Sequence, residues 1–180
     1  MRRFRRLHVL AATGFLLGSG LATSRSAGAE PLATAIGDFR YIDTSGEPTD
    51  QAAAHRQRLQ AFMTALRADV AADQRFHLIP SNAAEAAAPE ERLRDASQAG
   101  AKILLVGGVH KVSTLVQWAR AIAIDVASRR VLAEKLFTFR GDNDEAWQRA
   151  EIFVSQEIRT APAAAPPAAA AAPAPIKLAV

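Results

Sequence analysis

The chain of 180 residues contains no cysteine. Disulfide bonds, cysteine metal ligands and attachment of a lipid to a cysteine are therefore excluded, and the fold depends on its core alone. The apolar run that follows the first arginines is shorter than the roughly 18 residues that a membrane-spanning helix needs. These absences favour a domain that is stabilised by non-covalent packing.

Acidic residues are absent from residues 1–29, which carry five arginines. MRRFRRLH is basic, VLAATGFLLGSGLA is apolar, and Ala27-Gly28-Ala29 gives a small-x-small pattern. This layout is typical of a secretory signal peptide, with cleavage expected after Ala29. We therefore predict an exported, periplasmic protein without a membrane span after cleavage. An uncleaved anchor is the alternative.

A strongly basic surface is also absent once this segment is removed. The whole chain has 22 Lys+Arg and 18 Asp+Glu, and its pI is about 10.1. Because five basic and no acidic residues lie in residues 1–29, the remainder has 17 basic and 18 acidic groups. Nucleic-acid binding, which needs a clustered positive surface, is not expected.

Complete catalytic and metal motifs are missing as well. The histidines occur without an HExxH pattern, and DNDEAW lacks the turn glycine and distant glutamate of a calcium loop. GGVHK lacks the spacing of a phosphate-binding loop. Ser45 and Ser113 have no placed histidine and aspartate partners, so nucleophilic catalysis is not indicated. We expect no cofactor and no metal site, and we assign no catalytic residue.

Two changes in composition define the domain. From Thr160 the chain reads TAPAAAPPAAAAAPAPIKLAV, in which prolines interrupt alanine blocks and favour an extended, disordered spacer over residues 160–180. Residues 30–159 remain as a single α/β domain that is large enough to form its own core. A tail that presents the apolar end IKLAV to a partner is the alternative to a simple spacer.

Hydrophobic periodicity predicts the element order β-α-β-α-β-β-β-α. Strands are expected at 32–42, 75–80, 101–113, 113–128 and 131–141, and the last two form consecutive hairpin strands. Helices are expected over about 20 residues from Thr49, over 89–100 and over 142–159. We predict an α+β two-layer sandwich, with a mixed sheet and helices mainly on one face. The pair Gly107-Gly108 indicates a bulge or the close approach of another backbone.

This topology brings polar residues from three strands to one edge of the sheet. Strands one, three and five are expected to run parallel, so their C-terminal ends meet, and open α/β sheets often bind ligands at such an edge. The strand ends and the turns that follow them carry the candidate binding residues Asp43, Ser45, Glu47, Lys111, Ser113, Arg140, Asp142 and Asp144.

Each of these residues also has a purely structural interpretation. Asp142 and Glu145 have the spacing of a helix capping box, and Asp144 suits the positive end of a helix dipole. The polar residues before the first helix fit turn or capping chemistry. Lys111 and Arg140 would then pair with neighbouring carboxylates and neutralise the edge.

Three separated motifs, in order, resemble a family of small exported proteobacterial proteins of unknown function. They are DTSGEP after the first strand, AGAKILLVGGVHKVS, and AIAIDVASRRVLAEKLFTFRGDNDEAW, which together cover roughly residues 36–159. More remotely, the same pattern resembles the amino-terminal domain of TolB and the CsgG and LpoB type of α/β domain. This resemblance implies an α/β sandwich that binds other envelope proteins, although a fold alone does not settle function.

The leading functional prediction is a non-enzymatic exported accessory protein that binds another cell-envelope component through the strand-end edge. The rival prediction is a periplasmic small-molecule-binding protein or enzyme, with Lys111, Arg140 and the carboxylates of the same edge as polar anchors. A mainly structural domain without a specific site is the third possibility.

Overall fold

The computed structural model describes residues 30–81 and 87–160. The predicted signal peptide, residues 1–29, lies outside these ranges, as does the predicted tail beyond Thr160. Within them, no helix combines the length and the apolar character needed to cross a membrane.

Nine elements follow one another in the described ranges. The first strand and the first helix are separated by a short second strand, and the rest of the order matches the predicted one. The elements are β1 (Leu32–Ile36), β2 (Arg40–Asp43), α1 (Ala52–Ala71), β3 (Phe76–Ile79), α2 (Pro89–Gln98), β4 (Ile103–Lys111), β5 (Val116–Asp125), β6 (Val131–Arg140) and α3 (Asp144–Thr160).

The six strands form one mixed sheet in the order β3-β1-β4-β5-β6, and β2 also pairs with β4. β1 is parallel to β3 and β4, β2 is parallel to β4, and the β4-β5 and β5-β6 pairs are antiparallel. β1, β2, β4 and β6 therefore run in one direction. The predicted meeting of strand ends at one edge is confirmed, and so is the α+β fold.

The predicted first strand, 32–42, is divided by an irregularity. Ile36 lies opposite Leu105, whereas Arg40 lies opposite Gly108, so this strand advances by one residue more than its partner. Such an extra residue is a bulge, which bends the strand. The bend places Phe39 in the core, where its side chain is fully buried.

The sheet has a covered inner face and a partly open outer face. α1 and α3 pack on the inner face around a core that includes Phe62, Leu66 and Trp147. α2 packs on the outer face over a small cluster with Ala35 and Leu104. The helices thus lie mainly on one face, as the sequence pattern predicts.

Gly107 allows three parts of the sheet to approach closely. A Cβ atom built on Gly107 would lie 2.1 Å from the carbonyl oxygen of Arg120 and 2.6 Å from Cζ of Phe39. A Cβ on Gly108 would lie 2.7 Å from the carbonyl oxygen of Arg40. The predicted close approach of another backbone is confirmed at both glycines.

Replacing Gly107 by alanine should therefore destabilise the fold by about 1–3 kcal/mol or more, since backbone and a buried ring must both move. Gly37→Ala is the matched control, because its nearest neighbour is the flexible end of Arg92 at 3.3 Å. Urea unfolding of the two variants measures the difference. Equal losses of stability would contradict the packing role of Gly107.

Candidate functional site

The strand-end edge contains a row of residues that faces the helices. Asp43, Lys111, Gln117 and Phe139 lie opposite one another across β2, β4, β5 and β6. Lys111, Gln117 and Phe139 are all buried on this inner side. α1 and α3 cover Lys111 and Gln117, so the polar ends of these two side chains must find partners within the protein, whereas Asp43 is exposed.

Lys111 is fully buried, and its ammonium group contacts two carboxylates. Nζ donates to Oε2 of Glu47 and, at 2.6 Å, to Oδ2 of Asp142. Burial alone would lower the pKa of Lys111, but the hydrogen bonds and charges of Asp142 and Glu47 raise it above its ordinary value. Lys111 is therefore charged at neutral pH.

Asp142 is the second centre of this cluster and accepts from several donors. Its Oδ2 lies 2.8 Å from Nε2 of His55, and its Oδ1 accepts from Arg58 at 2.9 Å. Gln117 donates to the same Oδ1 at 3.4 Å. Burial would raise the pKa of Asp142, but the hydrogen bonds and charges of Lys111 and His55 lower it. We call Glu47, His55, Arg58, Lys111 and Asp142 the Lys111 network.

The Lys111 network is closed from solvent. The side chains of Lys111 and His55 are 0% and 2% exposed, and those of Asp142, Glu47 and Arg58 are between 10% and 17% exposed. Gln51 adds a further hydrogen bond to Glu47 at 2.7 Å. Within residues 30–81 and 87–160, no group of three or more His, Asp or Glu side chains is arranged to hold a metal ion.

Two structural interpretations from the sequence need correction. Asn143, and not Asp142, caps α3, because Oδ1 of Asn143 accepts from the N–H of Ala146 at 2.9 Å. Asp142 is directed instead to the Lys111 network, and Glu145 pairs with Arg149. The residues have the spacing of a capping box but make other contacts.

Arg140 does not take the place beside Lys111 that ion pairing would require. Strand alternation puts Phe139 on the inner face and Arg140 on the outer face, where it is exposed. None of the ion pairs found among the described residues includes Arg140. Arg58 from α1 supplies the guanidinium group of the network instead.

The remaining predicted site residues lie at the same edge in local turns. Oδ1 of Asp43 accepts from the backbone N–H and the hydroxyl of Ser45, at 2.9 and 2.7 Å. The hydroxyl of Ser113 accepts from the N–H of Val116 at 3.2 Å. Asp144 is largely exposed and pairs with Arg58 at 2.9 Å. A binding role for these residues stays a prediction.

Sequence reasoning missed three members of this arrangement: His55, Arg58 and Gln117. His55 had a detectable signal, because it lies one turn before Leu59 on the apolar stripe of α1 and is 1% exposed. A polar residue on a buried stripe calls for a partner. Arg58 and Gln117 gave no such signal, because their partner Asp142 is remote in sequence.

A second row of residues lies on the opposite, outer side of the same edge. Ile42, His110, Trp118 and Thr138 face one another across the four strands. Ile42 is 51% exposed and Trp118 is 38% exposed, and the ring of Trp118 meets that of His110 edge-on at 5.6 Å. Leu136, one row further, is 59% exposed. We call this surface the outer groove; it encloses about 570 Å³.

A third feature lies in the helical layer, where α1 and α3 form a cleft that includes Trp147 and Glu151. Glu151 is 3% exposed, and burial, together with the nearby charge of Asp69, raises its pKa to about 7. Arg159 acts in the opposite direction. A glutamate in this state is partly protonated at neutral pH.

The family DUF3280, described as "Protein of unknown function (DUF2380)", matches residues 33–158, from β1 to α3. The chain belongs to this family. The matched range includes the sheet, all three helices and the Lys111 network of this chain. The predicted membership in a family of unknown function is confirmed.

Among solved structures, the hypothetical protein CT253 from Chlamydia trachomatis is similar in fold. It has a TM-score of 0.51 at 10% identity, over 73% of this chain and 97% of that one. The C-terminal domain of LpoB from Salmonella enterica matches with a TM-score of 0.42 at 8% identity, over 64% and 87% of the two chains. TolB from Acinetobacter baumannii has a TM-score of 0.46 at 18% identity, over 73% of this chain and 28% of that one. No curated protein sequence matches significantly.

Lys111→Met should destabilise the protein by about 3–5 kcal/mol, because it leaves two carboxylates beside an apolar side chain in a buried place. Arg140→Met is the matched control: it removes an exposed cation from the same edge and should change stability by less than about 0.5 kcal/mol. Urea unfolding near neutral pH gives both values. A loss below about 1 kcal/mol for Lys111→Met would show that the network is not a buried structural unit.

Glu151 should make stability depend on pH in the direction opposite to most acids. In the folded protein Glu151 keeps its proton up to about pH 7, whereas in the unfolded chain it releases the proton at the ordinary glutamate pKa of 4.5. The free energy of unfolding therefore falls as the pH rises between these two pKa values. Glu151→Gln removes the effect. The melting temperature of the wild type should therefore fall between about pH 5 and about pH 8 by more than that of the variant.

Glu145→Gln, an exposed position on the same helix, is the control for this titration and should retain the wild-type dependence. Identical pH profiles for wild type and Glu151→Gln would rule out a raised pKa at Glu151.

Proposed function

We propose that this domain is a non-enzymatic exported accessory protein that binds another cell-envelope component at the strand-end edge, with the outer groove as the contact surface. The observation that carries the proposal is the row of exposed apolar side chains at that edge. Ile42, Trp118 and Leu136 are each more than one-third exposed, and contiguous exposed apolar surface is typical of protein interaction sites.

The charges around the outer groove favour a partner segment that combines apolar and acidic residues. Arg120 on β5 and Arg140 on β6 project from the outer face. Arg40 on β2 lies opposite Gly108 of β4, which lies opposite Arg120 on its other side. Glu134 is the acidic residue of this face on β6, and it pairs with Arg120 at 2.6 Å. A basic rim of this kind attracts carboxylates and orients the partner.

The predicted binding residues then divide into two groups. The exposed residues Asp43, Arg140 and Asp144 and the half-buried Ser45 and Ser113 are proposed to contact the partner. Lys111, Glu47 and Asp142 lie behind the strand ends and are proposed to hold the loops in place.

The rival proposal, a small-molecule site or enzyme at the same edge, has less support. Its polar anchors would be Lys111 and the carboxylates, but these groups already satisfy one another in a closed network. A ligand would have to break a buried ion pair before it gained any contact, and this is costly. Exposed Arg140 remains available to such a ligand.

The proposed export is supported by the signal-peptide pattern of residues 1–29. The proposed disordered spacer is supported by the proline and alanine content of residues 160–180. An extended spacer would add reach or spacing between the domain and a partner. The remote motif resemblance to TolB and LpoB types of domain agrees with an envelope role.

Photo-crosslinking in cells tests the proposed surface. A benzoylphenylalanine at position 118 or 136 should give an adduct of defined mass with an envelope protein. The same probe at Gln60, which is exposed on α1 of the opposite layer, should not. Arg120→Glu together with Arg140→Glu should reduce the adduct at least several-fold, since the basic rim is reversed.

Arg149→Glu on α3 together with Arg56→Glu on α1 reverses the same number of charges on the helical layer; this control should leave the adduct unchanged. Equal adducts from positions 118 and 60, or none from position 118 and 136, would contradict the outer groove as the interface. Anionic metabolites that raise the melting temperature of the wild type, but not of Arg140→Ala, would favour the rival.

A further inference from the structure

The two edge strands of the sheet differ in how well they are protected. β3 has only four residues and is followed by Pro80, and its apolar side chains are partly buried. β6 has ten residues and contains no proline. Within residues 30–81 and 87–160, no strand pairs with its second side, which we call the free edge. Native proteins usually shorten or block such edges, because their unpaired backbone groups offer pairing to another chain.

β6 also carries a large share of the exposed apolar side chains. Seven large apolar side chains are exposed among the described residues, and three of them, Val131, Leu132 and Leu136, lie on β6. Leu136 is the most exposed of the three, at 59%. A long, exposed edge strand of this kind favours association with another strand.

Alternate backbone groups of β6 point to the free edge. The N–H of Gly141 donates to the carbonyl oxygen of Leu115 on the β5 side at 3.0 Å, and the β5–β6 register continues without a shift to Ala133. Because backbone groups alternate in direction along a strand, the odd-numbered residues face β5 over this stretch. The backbone groups that face the free edge are those of Glu134, Leu136, Thr138 and Arg140.

The charges on the outer face of β6 are complementary to those of a second, antiparallel β6. Glu134 and Arg140 lie at equal distances in sequence on either side of Phe137. When two β6 strands pair antiparallel with Phe137 at the two-fold axis, each Glu134 lies directly opposite Arg140 of the other strand. Arg140 has no ion pair among the described residues, whereas Glu134 contacts Arg120 at 2.6 Å. Glu134 would then lie between two guanidinium groups.

This register also suits the backbone and the remaining side chains. Residues whose backbone groups face the free edge lie opposite one another, so they can exchange both N–H···O bonds. Leu136 lies opposite Thr138, and the two Phe137 rings form a cross-strand aromatic pair. A register with Lys135 at the axis would instead place two ammonium groups opposite each other, which is destabilising.

We propose that β6 pairs antiparallel with β6 of a second copy of this chain, so that the two sheets join into one. Such an interface is symmetric, because both copies use the same strand. The outer grooves of the two copies then lie on one face of the joined sheet, and Ile42 and Trp118 stay open to an envelope partner. A guanidinium group has five N–H donors, so Arg140 can contact both Glu134 of the second copy and that partner.

Sedimentation equilibrium of residues 30–180 tests the pairing. The wild type should associate reversibly to a dimer. Glu134→Arg or Arg140→Glu alone places like charges opposite each other twice in the dimer and should weaken it at least about tenfold. The double variant restores opposite charges and should recover most of the wild-type association. Arg94→Glu, at an exposed position on α2, is the control and should associate as the wild type does.

Single cysteines test the register, because the chain has none of its own. Positions 136 and 138 lie directly opposite across the proposed interface, within the reach of a disulfide, whereas each lies farther from its own copy. A mixture of Leu136→Cys and Thr138→Cys chains should therefore form the mixed disulfide several-fold faster than either variant forms a disulfide alone. Ala68→Cys, exposed on α1, should stay reduced over the same time.

The pairing is overturned if the wild type sediments as a monomer up to about 0.5 mM, a concentration at which even a weak interface is populated. It is also overturned if the double charge reversal does not restore association, or if the mixed disulfide forms no faster than the others. A monomer that still gives an adduct from position 118 would overturn the pairing alone, and a dimer without that adduct would support the pairing and contradict the proposed function.

Discussion

The buried ammonium group of Lys111 is the constraint on which the strand-end edge depends. A charge that is fully removed from water is tolerated only when opposite charges and hydrogen bonds surround it. Here the partners come from the loop after β2, the turn before α3 and, through Asp142, from α1. Three segments that are distant in sequence must therefore meet at the end of β4. A buried ion pair is weak evidence for net stability, so what the network establishes is the arrangement that it requires.

The same constraint separates the two sides of the edge. Because side chains alternate along a strand, the residues next to Lys111 and Gln117 in sequence, His110 and Trp118, point away from the helices. On the inner row the charge of Lys111 is buried and paired within the protein, while the apolar side chains of Ile42 and Trp118 on the outer row stay exposed. Binding at this edge is accordingly expected on the outer row, where no buried ion pair must be broken.

Local patterns in the sequence were sufficient to predict the fold. The apolar stripe of α1, the apolar run of β4 and the alternation in β5 and β6 each have a period that defines one element. The bulge before Phe39 is a different case: Ile36 and Phe39 are three residues apart yet share the inner core, so strict alternation is interrupted there and one continuous strand was the wrong interpretation. Contacts between residues distant in sequence also gave no local signal. The spacing of Asp142 and Glu145 fits a helix cap, yet Asn143 caps α3 and Asp142 contacts Lys111 and α1.

The polar atoms that remain without partners are unevenly distributed. Among the described residues there are three: Oε1 of Gln117, at the Lys111 network, and the two atoms of Trp147 and Glu151 at the α1–α3 cleft. Gln117 satisfies its amide nitrogen with the carbonyl oxygen of Gly141 at 2.9 Å, so that side chain has a structural use. No structural use as clear as this is found for the side chain of Glu151, because burial and the charge of Asp69 raise the pKa of its carboxyl group and so disfavour its ionised form. Natural proteins usually depart from such local consistency at functional positions, and α3 carries two of the three departures found among the described residues.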